Sequence, residues 1–529
     1  MRTALSRTLA VVVLVSVSAP ASVLAQPGAA QPPPAPQVRR LSVDDAVLLA
    51  AENNLGLTIA RVDPLLENLN TTQILTAWAP TVSSSLLGNS TVSQNTGFLT
   101  GASGASATDR RINGDLSLTQ SLRWGGNYTV GWTSSRSTTD NILSSFSPQL
   151  RSSFSLNYQQ PLLRNFRIDS TRQQLLLSLM QRDIADIQLR QTFASTSRTV
   201  RNAYWDLVYA IRFLEVQQQS LDLALENLRN TRARIEIGIT PPIDEIEPQA
   251  EVAQREEAVI TAQSQIAAAE DALRTVIFDP DDPDFWTVRI EPTEVPSFAP
   301  TVVDVDAAIR NALERRSDLE QSRKAIEQSD VTLLYLRNQL LPEVTAQFDY
   351  SVSGVGGTRL TRSGTIGGDV IDRSQRSFGS VLGDLVTNDF PTWNARVTIR
   401  YPLGTSQQEA SLARARLQYD RSMTQLRQQE MQIALQVRDV TRQVQTNQQR
   451  VETTRRSREF AERRLDAEQR KLEAGTSTNY VVLSAQRDLA QARNTELNAI
   501  IDYQRSLIDL STVQEIPIGG GGGAVAAVR

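Results

Sequence analysis

The sequence contains no cysteine and no histidine in 529 residues. Disulfides, thiol nucleophiles, imidazole general bases and the usual zinc ligands are thereby removed together. Lysine is almost missing as well, with only Lys324 and Lys471 beside many arginines. Aromatic residues make up 5% and hydrophobic residues 40%, slightly low for a globular core. The net charge of −4 points to no nucleic-acid partner. Beyond the N-terminus, no run approaches the ~20 apolar residues of a membrane-spanning helix. Proline and glycine are missing from Leu162 to Ile237 and again from Thr405 to Ala474. Both stretches break at a glycine, Gly238 and Gly475.

The N-terminus, MRTALSRTLAVVVLVSVSAPASVLAQ, has a basic start at Arg2 and Arg7, a short apolar stretch from Leu9 to Val17 and a small-residue cleavage pattern at Val23-Leu24-Ala25. It reads as a secretory signal peptide over 1–25, too short for an N-terminal anchor. A Pro-rich linker follows over 26–40. The mature chain is expected to be exported, with a β-barrel as its remaining route across a membrane.

The rest is one large unit written twice. With Pro80 set on Pro342, LSVDDAVLLAAENNLGLTIAR lies without gaps over VDVDAAIRNALERRSDLEQSR. Val43, Ala46, Ala50, Leu57 and Arg61 then meet Val305, Ala308, Ala312, Leu319 and Arg323. Each segment reads as one helix that ends at a proline, in WAP or LLP, before a strand-like stretch. Later, SFSLNYQQP matches ARVTIRYP, a long helical run follows each, and Gly238 aligns with Gly475. The first half is four residues longer between its strand-end proline (Pro161) and its glycine than the second is between Pro402 and Gly475. The repeats span 41–277 and 302–514. A proline- and acid-rich connector over 278–301 joins them, and a Gly-rich tail over 515–529 is expected to be disordered.

In the first long run, Val200, Tyr204, Leu207, Ile211, Leu214, Gln218, Leu221, Leu225 and Leu228 follow alternating steps of four and three, the coiled-coil repeat. Ile433, Val437, Val440, Val444, Asn447 and Val451 repeat it more weakly in the second. Some 65 residues at 1.5 Å each make a rod of about 100 Å. The short strands alternate strictly: Phe154, Leu156 and Tyr158 oppose Ser153, Ser155 and Asn157, and Val397, Ile399 and Tyr401 oppose Thr398 and Arg400. This alternation fits a bilayer-spanning barrel and equally a half-exposed sheet in a soluble domain. The segment GDLSLTQSLRWGGNYTVGWTSSRS, 114–137, reads as a hairpin about Gly125-Gly126, either external or an additional barrel pair. The Gly- and Ser-rich stretch 355–390 reads as an outside loop.

Taken in this order, the elements resemble the TolC-like outer membrane efflux protein family over residues 41 to 514. The sharpest match is LEAGTSTNYVVLSAQRDLAQARNTEL, 472–497, which looks like the family's helix–turn–helix at the periplasmic tip of the second repeat. QQPLLRN and RYPLG at the strand ends add to it. The resemblance implies an α+β membrane protein: a homotrimeric outer-membrane β-barrel of about four strands per chain, continued by a long α-helical coiled-coil periplasmic tunnel. It implies a passive exit duct for tripartite efflux or type I secretion, docked to a periplasmic adaptor protein and an inner-membrane transporter, with outer membrane lipid around the barrel. No cofactor and no catalysis are implied.

The resemblance further implies that Gly238, Ile239, Gly475 and Thr476 are adaptor-contact turns, and that Asp244 with Glu245 and Glu247 lines the periplasmic aperture. Three copies of these acids would favour cations. Capping of a helix after Pro241-Pro242 explains the same acids. The second repeat has Val481 and Ser484 at the matching places, so any gate rests on the first. Two other classes compete. A periplasmic adaptor has a single helical hairpin, against two full repeats here. An exported carboxylate-dependent hydrolase needs paired acids on a catalytic framework, and none is recognisable.

Overall fold

The computed structural model describes residues 38–94, 106–364, 368–404 and 406–515. The expected signal peptide, most of the linker and nearly all of the tail lie outside the described residues. Strand β1, Val38–Leu41, begins inside the stretch read as linker. It pairs in parallel with β6, Arg289–Pro292, so the connector between the repeats is an ordered crossing.

Each repeat opens with two helices where the sequence suggests one. In the first, α1 is Val43–Asn53 and α2 is Leu55–Leu75. Ser42 and Asp45 form a capping box at the start of α1. Asn54 turns extended between the helices, and its side chain accepts from the backbone N–H of Leu57 to restart the chain as α2. In the second repeat, α5 (Val305–Arg315) and α6 (Ser317–Gln339) divide at the equivalent Arg316. Periodicity alone misses this break because the apolar spacing runs on across it. An arginine braces each break: Arg61 donates to the carbonyl of Ala51, and its equivalent Arg323 to the carbonyl of Leu313. The matched small residues Ala46 and Ala50, and Ala308 and Ala312, are all buried.

The rods are α3, Ser170–Glu236, and α8, Gln407–Glu473, of 67 residues each, or about 100 Å. Asp169 caps α3, and Ser406 with Glu409 caps α8 in a capping box. The extra length of the first repeat therefore falls in the connection from strand to helix. After the turns the chain returns as α4, Ile246–Ile277, along α3 and as α9, Asn479–Val513, along α8. In α3 the buried seam starts as expected at Val200, Tyr204 and Leu207; further on Leu228 is buried as expected with Leu221 and Leu225 packed beside it, and the seam widens to take in Gln217, Ser220, Ala224, Asn227 and Thr231. Gln218 is exposed. In α8, Ile433, Val437, Val444, Asn447 and Val451 are buried as expected. The main core lies midway along the rods, where Leu41, Tyr204, Leu273, Ile277, Phe285 and Ile290 pack together.

At the other end lies a single antiparallel sheet. Its strands are β2 (Thr81–Gln94), β3 (Ser106–Ser121), β4 (Asn127–Thr139), β5 (Phe146–Pro161), β7 (Glu343–Arg362), β8 (Val370–Arg376) and β9 (Pro391–Arg400). The order is β2-β3-β4-β5-β7, with β9 and β8 sharing the far edge of β7. One alternative left open by the sequence is narrowed here, and one expectation changes. The hairpin β3–β4 is not external to the sheet: it sits within it, between β2 and β5. The expected loop 355–390 holds the end of β7, β8 and a short helix α7, Phe378–Thr387. Val381 of α7 lies so close over β7 that a side-chain carbon at Gly354 or Gly356 would overlap it, so only glycine admits the helix there.

Registers put Val82, Leu118, Val130, Leu156 and Tyr350 on one face, and Ser83, Ser117, Thr129, Asn157 and Asp349 on the other. The first face carries exposed apolar side chains from edge to edge, among them Leu86, Ile112, Trp393 and Ile399. The second carries side-chain hydrogen bonds, including Ser83 with Ser117, Ser85 with Asp115, and Asn157 with Asp349. No described helix is long and apolar enough to cross a membrane.

Candidate functional site

The two far ends of the rods share one geometry. Gly238 takes φ +76° and Gly475 φ +75°. Ile239 N–H donates back to the Arg234 carbonyl at 2.9 Å, and Thr476 N–H to the Lys471 carbonyl at 2.8 Å. These are matching glycine-terminated helix ends, the stop that left-handed backbone permits. A side chain at either glycine meets open space, so only backbone conformation selects glycine there. Each turn also presents apolar groups: Ile237, Ile239, Ile243 and Ile246 in the first and Tyr480 after the second are exposed.

The acids past Gly238 do different things. Pro242–Glu245 forms a 3-10 turn with Asp244 and Glu245 in it, ahead of α4. Asp244 is exposed, and among the described residues its side chain makes no ion pair. Glu245 turns back onto its own hairpin. It accepts from Arg232 Nε at 2.7 Å and from Gln249 Nε2 at 2.6 Å. The Arg232 hydrogen bond, then that from Gln249, holds its carboxyl below the usual range. Glu247 is half-buried and lies in the field of Arg487.

One residue that sequence reasoning missed links the repeats. Glu251 on α4 is 3% exposed. It accepts from Arg255 Nε at 2.7 Å on its own helix and from Arg487 on α9, with Nη2 at 2.6 Å. Burial pushes the Glu251 carboxyl up, but hydrogen bonds from Arg487 and Arg255 outweigh it and the net shift is down. Two further bonds join the ends: Asn479 Nδ2 donates to Thr231 Oγ1 at 3.2 Å, and Arg234 Nη2 to the Leu472 carbonyl at 3.4 Å. The spacing of Glu251 and Arg255 was visible as a helical pair. Arg487 lies on the other repeat, and no local pattern points to it. Among the described residues, no cluster of acids is placed to hold a metal ion.

The family model described as outer membrane efflux protein matches residues 126–277 and 308–513. Among solved structures the chain is similar to CusC, described for transmembrane channel formation, at 15% identity, covering 90% of this chain and 92% of that one, with a TM-score of 0.62. It is similar to the outer-membrane channel OprN at 16% identity, covering 89% of each chain, TM-score 0.63. It is also similar to the outer membrane protein VceC of Vibrio cholerae at 16% identity, covering 89% and 95%, TM-score 0.59. At these identities the likeness is one of fold. No curated protein matches the sequence.

Proposed function

The chain belongs to the outer membrane efflux protein family, and on that premise we propose that it is the outer-membrane exit duct of a tripartite efflux or type I secretion system. It conducts cargo passively, and its energy comes from an inner-membrane transporter reached through a periplasmic adaptor. The observation that carries this reading is the sheet. It is apolar on one face and polar on the other, and the outer strands nearest the rods, β2 and β9, have exposed side chains and, among the described residues, free edges. In lipid every strand edge must be paired. β2 runs away from the rods and β9 runs towards them, so β9 of one copy and β2 of the next can pair antiparallel. Repeated head to tail, that contact closes a ring, and three copies make the homotrimer. The rods then continue as a tunnel across the periplasm, and their glycine ends form its mouth.

Gly238, Ile239, Gly475 and Thr476, beside the exposed isoleucines, form the adaptor-contact turns in this reading. Asp244 supplies the free charge at the aperture, with Glu247 behind it. The test is purification in detergent followed by planar-bilayer recording. A heat-modifiable trimer with discrete openings is expected. Correctly folded protein that stays monomeric and forms no channel would rule the duct out.

A further inference from the structure

From the sheet we infer that the wall in the membrane is built of six strands from each chain, eighteen in the closed trimer, because β3 and β4 are staves of the barrel; the seventh strand, β8, pairs only with Gly357–Arg362 of β7, beyond the stretch that β9 covers, and is not counted. The inference rests on the trimeric duct proposed above. The two repeats supply the comparison. In the second, β7 pairs with β9 directly, Val344 facing Ile399. In the first, the equivalent strands β2 and β5 are parted by β3 and β4, with unbroken pairing at all three seams.

Three observations place the insert in the wall and not against it. First, its side chains keep the sides of their neighbours. Leu116, Leu118, Val130 and Trp132 share the apolar face, while Asp115, Ser117, Thr129 and Thr133 share the polar one. Second, bonding along both faces runs through it. Ser83 meets Ser117 at 2.7 Å and Thr119 meets Thr129 at 3.2 Å on the polar side, and Trp132 Nε1 donates to Ser152 Oγ at 2.9 Å on the apolar side. Third, its turn is clamped in line between the feet of β2 and β5. Gln120 Nε2 donates to the Trp78 carbonyl at 2.9 Å, and Arg123 lies over the Trp78 ring. Gly125, at φ +91°, sits where a Cβ would come within 2.8 Å of both Arg172 Nη2 and the Asn165 carbonyl. Gly126 is equally tight against Gln160.

Barrel diameter grows roughly linearly with strand number. At ~4.8 Å between strands and a tilt of ~40°, eighteen strands enclose a ring about 36 Å across. A twelve-strand ring at the same tilt is about a third narrower. The insert adds strands and no helices, so the tunnel gains nothing. Cargo size is therefore selected at the mouth and along the tunnel, and the membrane section is a wide outlet.

The absence of cysteine makes the test clean. The pairs Val82→Cys with Leu118→Cys and Val130→Cys with Leu156→Cys lie at the seams β2–β3 and β4–β5. Were β2 to pair with β5 as β7 does with β9, Val82 would instead face Tyr158, the equivalent of Ile399. A short thiol cross-linker on membranes should therefore join the first two pairs and leave Val82→Cys with Tyr158→Cys unjoined. Electron cryo-microscopy of the unmodified trimer in nanodiscs should show eighteen staves, which keeps the test independent of the variants. Twelve staves in a conducting trimer, or efficient linking of positions 82 and 158, would overturn the inference and leave the duct standing. If no trimer forms, the duct falls first and the strand count with it.

Discussion

Arg487 on α9 reaches across to Glu251 on α4, with Nη2 at 2.6 Å from Oε2, and so ties the end of the second repeat to that of the first. The acceptor is buried, whereas the donor is half in solvent, with its side chain 45% exposed. A pair of this kind is specific, because removing one member leaves the other charge without its partner.

Replacing Arg487 by alanine leaves Glu251 with Arg255 alone. A hydrogen bond to a charged group is worth about 1.5–3 kcal/mol; in the proposed duct this tie acts as a lock that holds the ends of the two repeats together at the mouth, so its loss should raise the open probability of single channels at least several-fold. Glu251→Gln keeps hydrogen-bonding capacity and should open the mouth less. Recordings in which R487A stays as closed as the wild type would remove the lock from the mechanism.

The same lock has a defined pH window. The Glu251 carboxyl sits below its ordinary value of 4.5, so the stabilisation it gives is present above 4.5 and is lost as pH falls through the lower folded-state value. Open probability should stay flat from neutral pH down to about 4.5 and rise as pH falls from there through the lower folded-state value. A transition near neutrality would assign the gate to some other group.

Asp244 and Glu245 are neighbours with unequal influence on ions. Arg232 already offsets the charge of Glu245, while Asp244 projects a free carboxylate into solvent. Asp244→Asn should shift the reversal potential in a salt gradient towards lower cation preference more than Glu245→Gln does. The reverse order would sink the assignment of Asp244 to the aperture.

Three glycines with positive φ separate backbone cost from steric cost. Gly238→Ala and Gly475→Ala meet open space, so each should cost only the left-handed penalty of about 1–2 kcal/mol and still assemble, with weaker adaptor binding. Gly125→Ala adds a clash with Arg172 and with the Asn165 carbonyl, worth a further ~1–3 kcal/mol. Trimer melting temperature should therefore fall most for G125A, and equal losses at all three would contradict the packing around Gly125.

What could be read from the sequence was whatever repeats locally. The proline- and glycine-free runs, their glycine stops and the alternation of Phe154, Leu156 and Tyr158 each lie within one element, and the structure carries all of them. The break at Asn54 escaped because its apolar spacing is continuous, and only the capping contact to Leu57 reveals it. The seam in α3 beyond Leu214 was legible in part: Leu228 is buried as the repeat expects, whereas Gln218 is exposed and its neighbour Gln217 is buried. The hairpin at Gly125-Gly126 was legible as a hairpin, but its place in the sheet depends on Trp78 and Gln160, far from it in the chain. The pairing of Glu251 with Arg487 crosses from one repeat to the other and leaves no mark within either.

The equal lengths of α3 and α8 set a rule for change. Contacts such as Arg234 to Leu472 and Asn479 to Thr231 hold the two turns level. An insertion in one rod alone would slide those partners out of register and leave one turn beyond the other. The duct proposed above would suit a deeper or shallower envelope only if both rulers were recut by the same whole number of heptads, so the two halves are bound to vary in length together.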